Sequence, residues 1–146
     1  MTQTILDTIH PLNLRKNFDQ ADLYMVANST IAILKSKAEY ITIDNFKEMC
    51  NFIGDMAKLG EVRKLVFDKR SLKIFHQPSM TWYYTEWKTE VSRYGLNRHR
   101  KILPNDPLFR QSVKIGREKI NREYPQAQYH HLDIQYFETL DEAIEQ

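Results

Sequence analysis

Lys64-Leu-Val-Phe-Asp68 decides the fold. An apolar run without alternation that ends in a carboxylate is the pattern of a strand covered on both faces, as in a parallel sheet. Parallel strands need crossovers, so helical periodicity is expected on either side. Upstream, Thr42 stands where an N-cap belongs and Asp44 puts negative charge in the first turn. Phe46, Met49, Cys50, Ile53, Met56 and Ala57 then form one apolar stripe, and Gly60 supplies a left-handed stop. Downstream, Pro78 fits a first helical turn, and Met80, Tyr83, Tyr84, Trp87, Val91 and Tyr94 make a largely aromatic stripe ending at Gly95.

The pattern repeats outward. Arg100–Leu103 reads as a short strand, and Asp106-Pro107 opens a third helix with Phe109, Val113, Gly116 and Ile120 inward, stopped by Pro125. Leu132–Phe137 alternates as a last strand, and Thr139 with Glu142 forms a capping box for a short helix carrying Leu140, Ala143 and Ile144. Before the first helix, Leu23–Ala27 and Ile31–Lys35 flank Asn28-Ser29-Thr30 as a β-hairpin. The expected fold is a single α/β domain over residues 21–146, in the order β-β-α-β-α-β-α-β-α. Its mixed sheet has an antiparallel first hairpin, then parallel strands, with helices packed on it. Residues 1–20, interrupted by Pro11, are an N-terminal arm or edge segment.

Composition narrows the class. A chain of 146 residues, 42% hydrophobic, buries one core. No segment has the ~20 apolar residues of a membrane span, and the first residues lack the order of a signal peptide, so a cytoplasmic protein without membrane association is expected. The single Cys50 excludes an internal disulfide and belongs to an inward stripe. Charge is uneven. Residues 61–125 hold 15 Lys+Arg against 7 Asp+Glu, whereas residues 126–146 hold none against 5. The simplest reading is helix faces solvated by Lys and Arg and offset by an acidic tail.

This order of elements resembles the STAS-like family, the fold of bacterial anti-sigma factor antagonists, and its SpoIIAA-like branch. The likeness covers roughly residues 21–145. It is carried best by Lys64–Asp68 before a helix and by Phe137-Glu-Thr-Leu-Asp-Glu-Ala-Ile144 at the end. It implies a non-enzymatic regulatory or protein-interaction domain. Antagonists of that family carry a phosphorylatable serine, in an Asp-Ser pair followed by Gly, at the start of the helix after the strand equivalent to Leu65–Asp68. Here that place reads Phe75-His-Gln-Pro-Ser79-Met-Thr-Trp82, so Ser79 is the matching candidate phospho-acceptor. Pro78 stands where the acidic residue would be, and Met80 where the glycine would. Local capping is the plainer role for such a serine.

Other candidate sites follow from position. Trp82 falls opposite the aromatic stripe and is expected to face outward as a partner hot spot, together with Phe75, Gln77 and Ser79; a loop from Ser71 to Gln77 folded over the ring is the alternative. Asp68 and Arg70, with Lys69 between them, lie at the carboxyl end of a parallel strand, as do Asn105 and Asp106, where open α/β sheets place ligand groups. Loop closure or helix capping explains these equally well. His130 and His131 are read as neighbours on a strand, pointing to opposite faces, and the other histidines lie far apart, so no metal site is expected. With no Gly-rich phosphate loop, no cofactor is implied. The run Arg98-His-Arg-Lys101, helped by Lys114, Arg117, Lys119 and Arg122, offers phosphate-backbone contact, and nucleic acid stays a minor reading. The leading expectation is an interaction domain with an unidentified protein partner; the alternative is a small-ligand-binding α/β protein with its crevice near Asp68 and Asp106. Homo-oligomer formation is left open.

Overall fold

The computed structural model describes Thr2, Gln3 and residues 7–146. Its elements run β1 (Thr2–Gln3), β2 (Leu12–Asn17), β3 (Ala21–Val26), β4 (Ile31–Ser36), α1 (Ile43–Lys58), β5 (Lys64–Asp68), α2 (Gln77–Trp82), a π-helical turn (Tyr83–Trp87), α3 (Lys88–Ser92), β6 (Arg98–Ile102), α4 (Pro107–Glu123), β7 (Asp133–Tyr136) and α5 (Leu140–Glu145). The strands make one mixed sheet in sequential order, antiparallel from β1 to β4 and parallel from β4 to β7. The fold is therefore the α/β arrangement that the strand at 64–68 implies. Residues 12–17 extend the opening hairpin into a meander, pairing with β3 through a register shift between Leu14 and Lys16.

Sequential order has a consequence. Each crossover from β4 to β7 moves the same way across the sheet, and right-handed connections moving one way put every crossover helix on one face. That front face carries Leu23, Leu34, Leu65 and Phe67 against the inward stripes of α1, α2, α3 and α4. The back face is closed by much less: Tyr24, Ile33, Val66 and Ile102 pack under Leu140, Ala143 and Ile144 of α5. This cover is pinned from the N-terminal side, where Thr8 and Ile9 donate to Asp141 Oδ1 and His10 Nε2 lies 2.9 Å from Glu145 Oε2. His10, Asp141 and Glu145 are the one grouping of histidine with carboxylates found among the described residues.

The second predicted helix is not regular. Lys88 N–H donates to Tyr83 O, an i to i+5 bond that inserts one extra residue into the turn and rotates all that follows by about 100°. Lys88, on the flank of the expected stripe, thereby swings to its centre and is fully buried, while Tyr94 moves out to half-burial. His130 and His131 sit in a 3-10 turn (Gln128–His131) rather than a strand, because the chain must turn back after Pro125 before β7 can begin.

Because α5 covers the centre of the back face, Leu140→Ala should lower unfolding stability by about 3 kcal/mol, read as a shift in the urea midpoint at unchanged slope. A change under about 1 kcal/mol would mean that α5 is not an integral cover.

Candidate functional site

Alternation along β5 and β6 sorts their charged residues onto the two faces. On the back, Asp68 is fully buried and accepts from Arg70 at 2.7 and 2.9 Å, with Lys35 at 3.4 Å; Arg70 also grips Asp7 at 2.6 and 3.0 Å. Arg100, fully buried, donates to Asp133 and to the Gln146 carbonyl, each at 2.9 Å, and Lys64 Nζ donates to Ile144 O at 2.5 Å. These cations are matched by acceptors, Arg100 Nε alone lacking one among the described residues. The basic run at 98–101 is mostly internal: only Arg98 is exposed.

The front face differs. Lys69, Lys88 and Lys101 project among Phe67, Tyr83 and Tyr84, with Arg117 of α4 over the Tyr84 and Tyr136 rings. Lys88 Nζ lies 4.1 Å from the Tyr83 centroid and has no hydrogen-bond partner among the described residues. Lys101 donates to the Tyr84 hydroxyl, itself 3.5 Å from the Tyr136 hydroxyl, which accepts from Arg117 at 3.2 Å. None of these four cations has an ion pair among the described residues. Burial, reinforced by the neighbouring cations, pushes Lys88 and Lys101 well below the ordinary lysine range; it lowers Lys69 to about 8. His99, enclosed beside Lys88 and Lys101, is held well below its usual value by the same desolvation.

One of these residues, Lys69, lines a cavity. At the carboxyl end of β5, a partly open pocket of about 60 Å³ is lined by Phe46, Phe67, Phe75, Met80, Tyr83 and Phe109 among other apolar side chains, with Lys69, His76 and Ser79 as its polar groups. No acidic side chain lines it. His76 caps α2: its Nδ1 accepts from Ser79 N at 3.3 Å and lies 2.8 Å from Ser79 Oγ. A second, more open groove of about 320 Å³ lies between α4 and the β7 edge, where Arg117, Lys114 and Glu118 meet Tyr136.

The candidates from sequence divide between these places. Phe75 and Ser79 line the cavity, and Gln77 sits beside it, donating to Thr81 Oγ1 at 3.2 Å and Gly116 O at 3.4 Å. Trp82 is half-buried, edge-on to Phe46 at 6.0 Å with Lys47 Nζ 5.4 Å from its ring, so α1 covers what was expected to face outward. Asp68 and Arg70 point away from the cavity, to the back of the sheet. Asp106 is the N-cap of α4, accepting from Leu108 and Phe109, and Asn105 is exposed in the loop before it. The expected crevice over Asp68 and Asp106 is thus not assembled; the pocket at the same end of the sheet uses Lys69, His76 and Phe109 instead. The chain matches no family model, no curated protein and no solved structure.

Buried lysines give stability an unusual pH dependence. Between the lowered values near 8 for Lys64 and Lys69 and the ordinary 10.5, the unfolded chain binds more protons than the folded one, so stability rises with pH across that window. Buried Tyr83 and Tyr84, raised well above 10, reverse the trend beyond it. Urea midpoints measured against pH should therefore climb from neutrality to about pH 10. Lys88→Met, which removes an unpaired buried amine at similar length, should stabilise the protein by about 1–3 kcal/mol at neutral pH. A flat profile together with a destabilised Lys88→Met would show that these amines are compensated.

Proposed function

We propose that the chain is a small-ligand-binding α/β protein whose ligand enters the cavity at the carboxyl end of β5. The observation that carries this reading is Lys69, which has no ion pair or hydrogen bond from its amine among the described residues and lines a largely apolar pocket with His76 and Ser79, at the carboxyl end of a parallel strand where open α/β sheets bind their ligands. Chemically, such a site accepts an apolar body among Phe67, Phe75 and Phe109 and one polar head beside Lys69, His76 and Ser79. Size constrains the occupant. About 60 Å³ is well below the ~150 Å³ of a cavity that encloses a benzene ring, so the pocket takes only one end of an apolar ligand, the rest lying in the open mouth. Titration of ¹⁵N-labelled protein with 1-hexanol should shift amide signals converging on Lys69, Phe75, Met80 and Phe109. Ser79→Phe, which plugs the pocket from its half-buried side, should abolish those shifts while keeping the native spectrum elsewhere. Scattered or absent shifts in the wild type would sink the reading.

A second reading rests on Ser79 itself. In a regulatory domain of the STAS-like kind, a phosphate on this hydroxyl would stand at a helix start, in a pocket that holds a lysine and no carboxylate, and would be favoured by both. A protein partner would then read the occupied or empty state of the pocket. Incubation with ATP and lysate of the source cells, followed by phosphopeptide mapping, should place label on Ser79 and lose it in Ser79→Ala; label elsewhere only, or none, rejects this version.

A further inference from the structure

We infer that the ligand of this cavity carries a compact anionic head, a carboxylate, which Lys69 binds. This rests on the cavity reading above and adds the chemical class. Four cations share the front face of β5 and β6 and the helices above it, and no acidic side chain pairs with any of them among the described residues. Lys88 and Lys101 are sealed within the core, and Arg117 opens onto the groove beside β7. Only Lys69 meets the cavity. The back face shows what the same sheet does with positive charge elsewhere: Arg70 and Arg100 are answered by Asp68, Asp7 and Asp133. A cation left unanswered beside an accessible pocket is a place where an incoming anion gains both a charge-assisted hydrogen bond from Lys69 and the field of Arg117 behind it. A cationic head meets repulsion from Lys69 and Arg117, and a neutral head gains only from its tail.

The groups facing the Lys69 amine are Phe67 on its own strand, Arg117 from α4, Lys88 from α3, Lys101 from β6, Cys50 from α1, and the cavity's Tyr83, His76 and Ser79. None is acidic. Lys69 is held down to about 8 by burial and by Arg117, so it is charged enough to take an anion at neutral pH and loses that capacity on modest alkalinisation. His76 has its Nδ1 turned to the Ser79 N–H and hydroxyl.

The test compares hexanoate, 1-hexanol and hexylammonium by calorimetric titration of the full chain, at pH well below and well above 8. At the lower pH, hexanoate should bind on the order of tenfold more tightly than 1-hexanol, and hexylammonium least tightly. At the higher pH the advantage of hexanoate should shrink toward parity. Lys69→Met should level hexanoate with 1-hexanol while leaving 1-hexanol affinity within about twofold, whereas His76→Asn should keep both the preference and its break near 8. Equal affinity of hexanoate and 1-hexanol in the wild type, or an acid preference that survives in Lys69→Met, overturns the anionic head and leaves the cavity reading standing. Failure of all three probes to bind removes the cavity reading and this inference with it.

Discussion

Successive side chains of β5 and β6 leave the sheet on opposite faces, and the two faces treat charge in opposite ways. Lys64, Asp68 and Arg100 go back, into a layer closed by one short helix and the ends of the chain, where carboxylates and terminal carbonyls meet them. Lys69, His99 and Lys101 go forward, under three crossover helices that bring aromatic rings and further cations but no acid. A one-residue slip of either strand would exchange these sets and leave acids and bases alike without partners. Register in this sheet is thus fixed by charge as much as by apolar area.

Keeping unpaired amines inside is unfavourable unless they shed their protons, and the front core is built so that shedding is the easier course. Tyr83 stands between Lys88 and Lys101, and Tyr84 takes a hydrogen bond from Lys101, so the rings offer π faces and one hydroxyl but no full charge. The π-helical turn is what makes this centre possible. Without the inserted residue, Lys88 would lie on the helix flank and reach water; with it, the side chain has no outward route. Distortions of this kind often accompany sites where side-chain direction matters more than helix regularity.

Much of the fold was legible because it rests on periodicity. The stripes of α1 and α4, the caps at Thr42, Asp106 and Thr139, and the all-buried strand at 64–68 follow from spacing alone, and the structure forms each of them. The strand at 12–17 was not legible, since five of its six side chains are exposed and its pairing is made by backbone groups that carry no sequence signal. The site was legible only in part. Phe75 and Ser79, picked for their place at a helix start, line the cavity, whereas Asp68 points to the other face of the sheet from its neighbour Lys69, a direction settled only when the helices take sides. The burial of Lys88 and Lys101 was not legible, because lysine is usually solvated; the π turn and the lack of an outward path, both tertiary facts, override that tendency.

The same arrangement ties proton, ligand and stability together. A neutral Lys69 relieves the folded state of one buried charge, and an anion beside it relieves the charged form instead, so the two act as alternatives at one site. Anything bound to the folded state alone adds stability according to its concentration over its dissociation constant. An anion held by Lys69 would raise that amine's affinity for its proton, so binding would take up protons around and above pH 8. An apolar ligand with no charge would leave proton uptake unchanged. Proton uptake on binding, rather than affinity, is therefore the quantity that separates a pocket that merely fits its ligand from one whose uncompensated positive charge selects it.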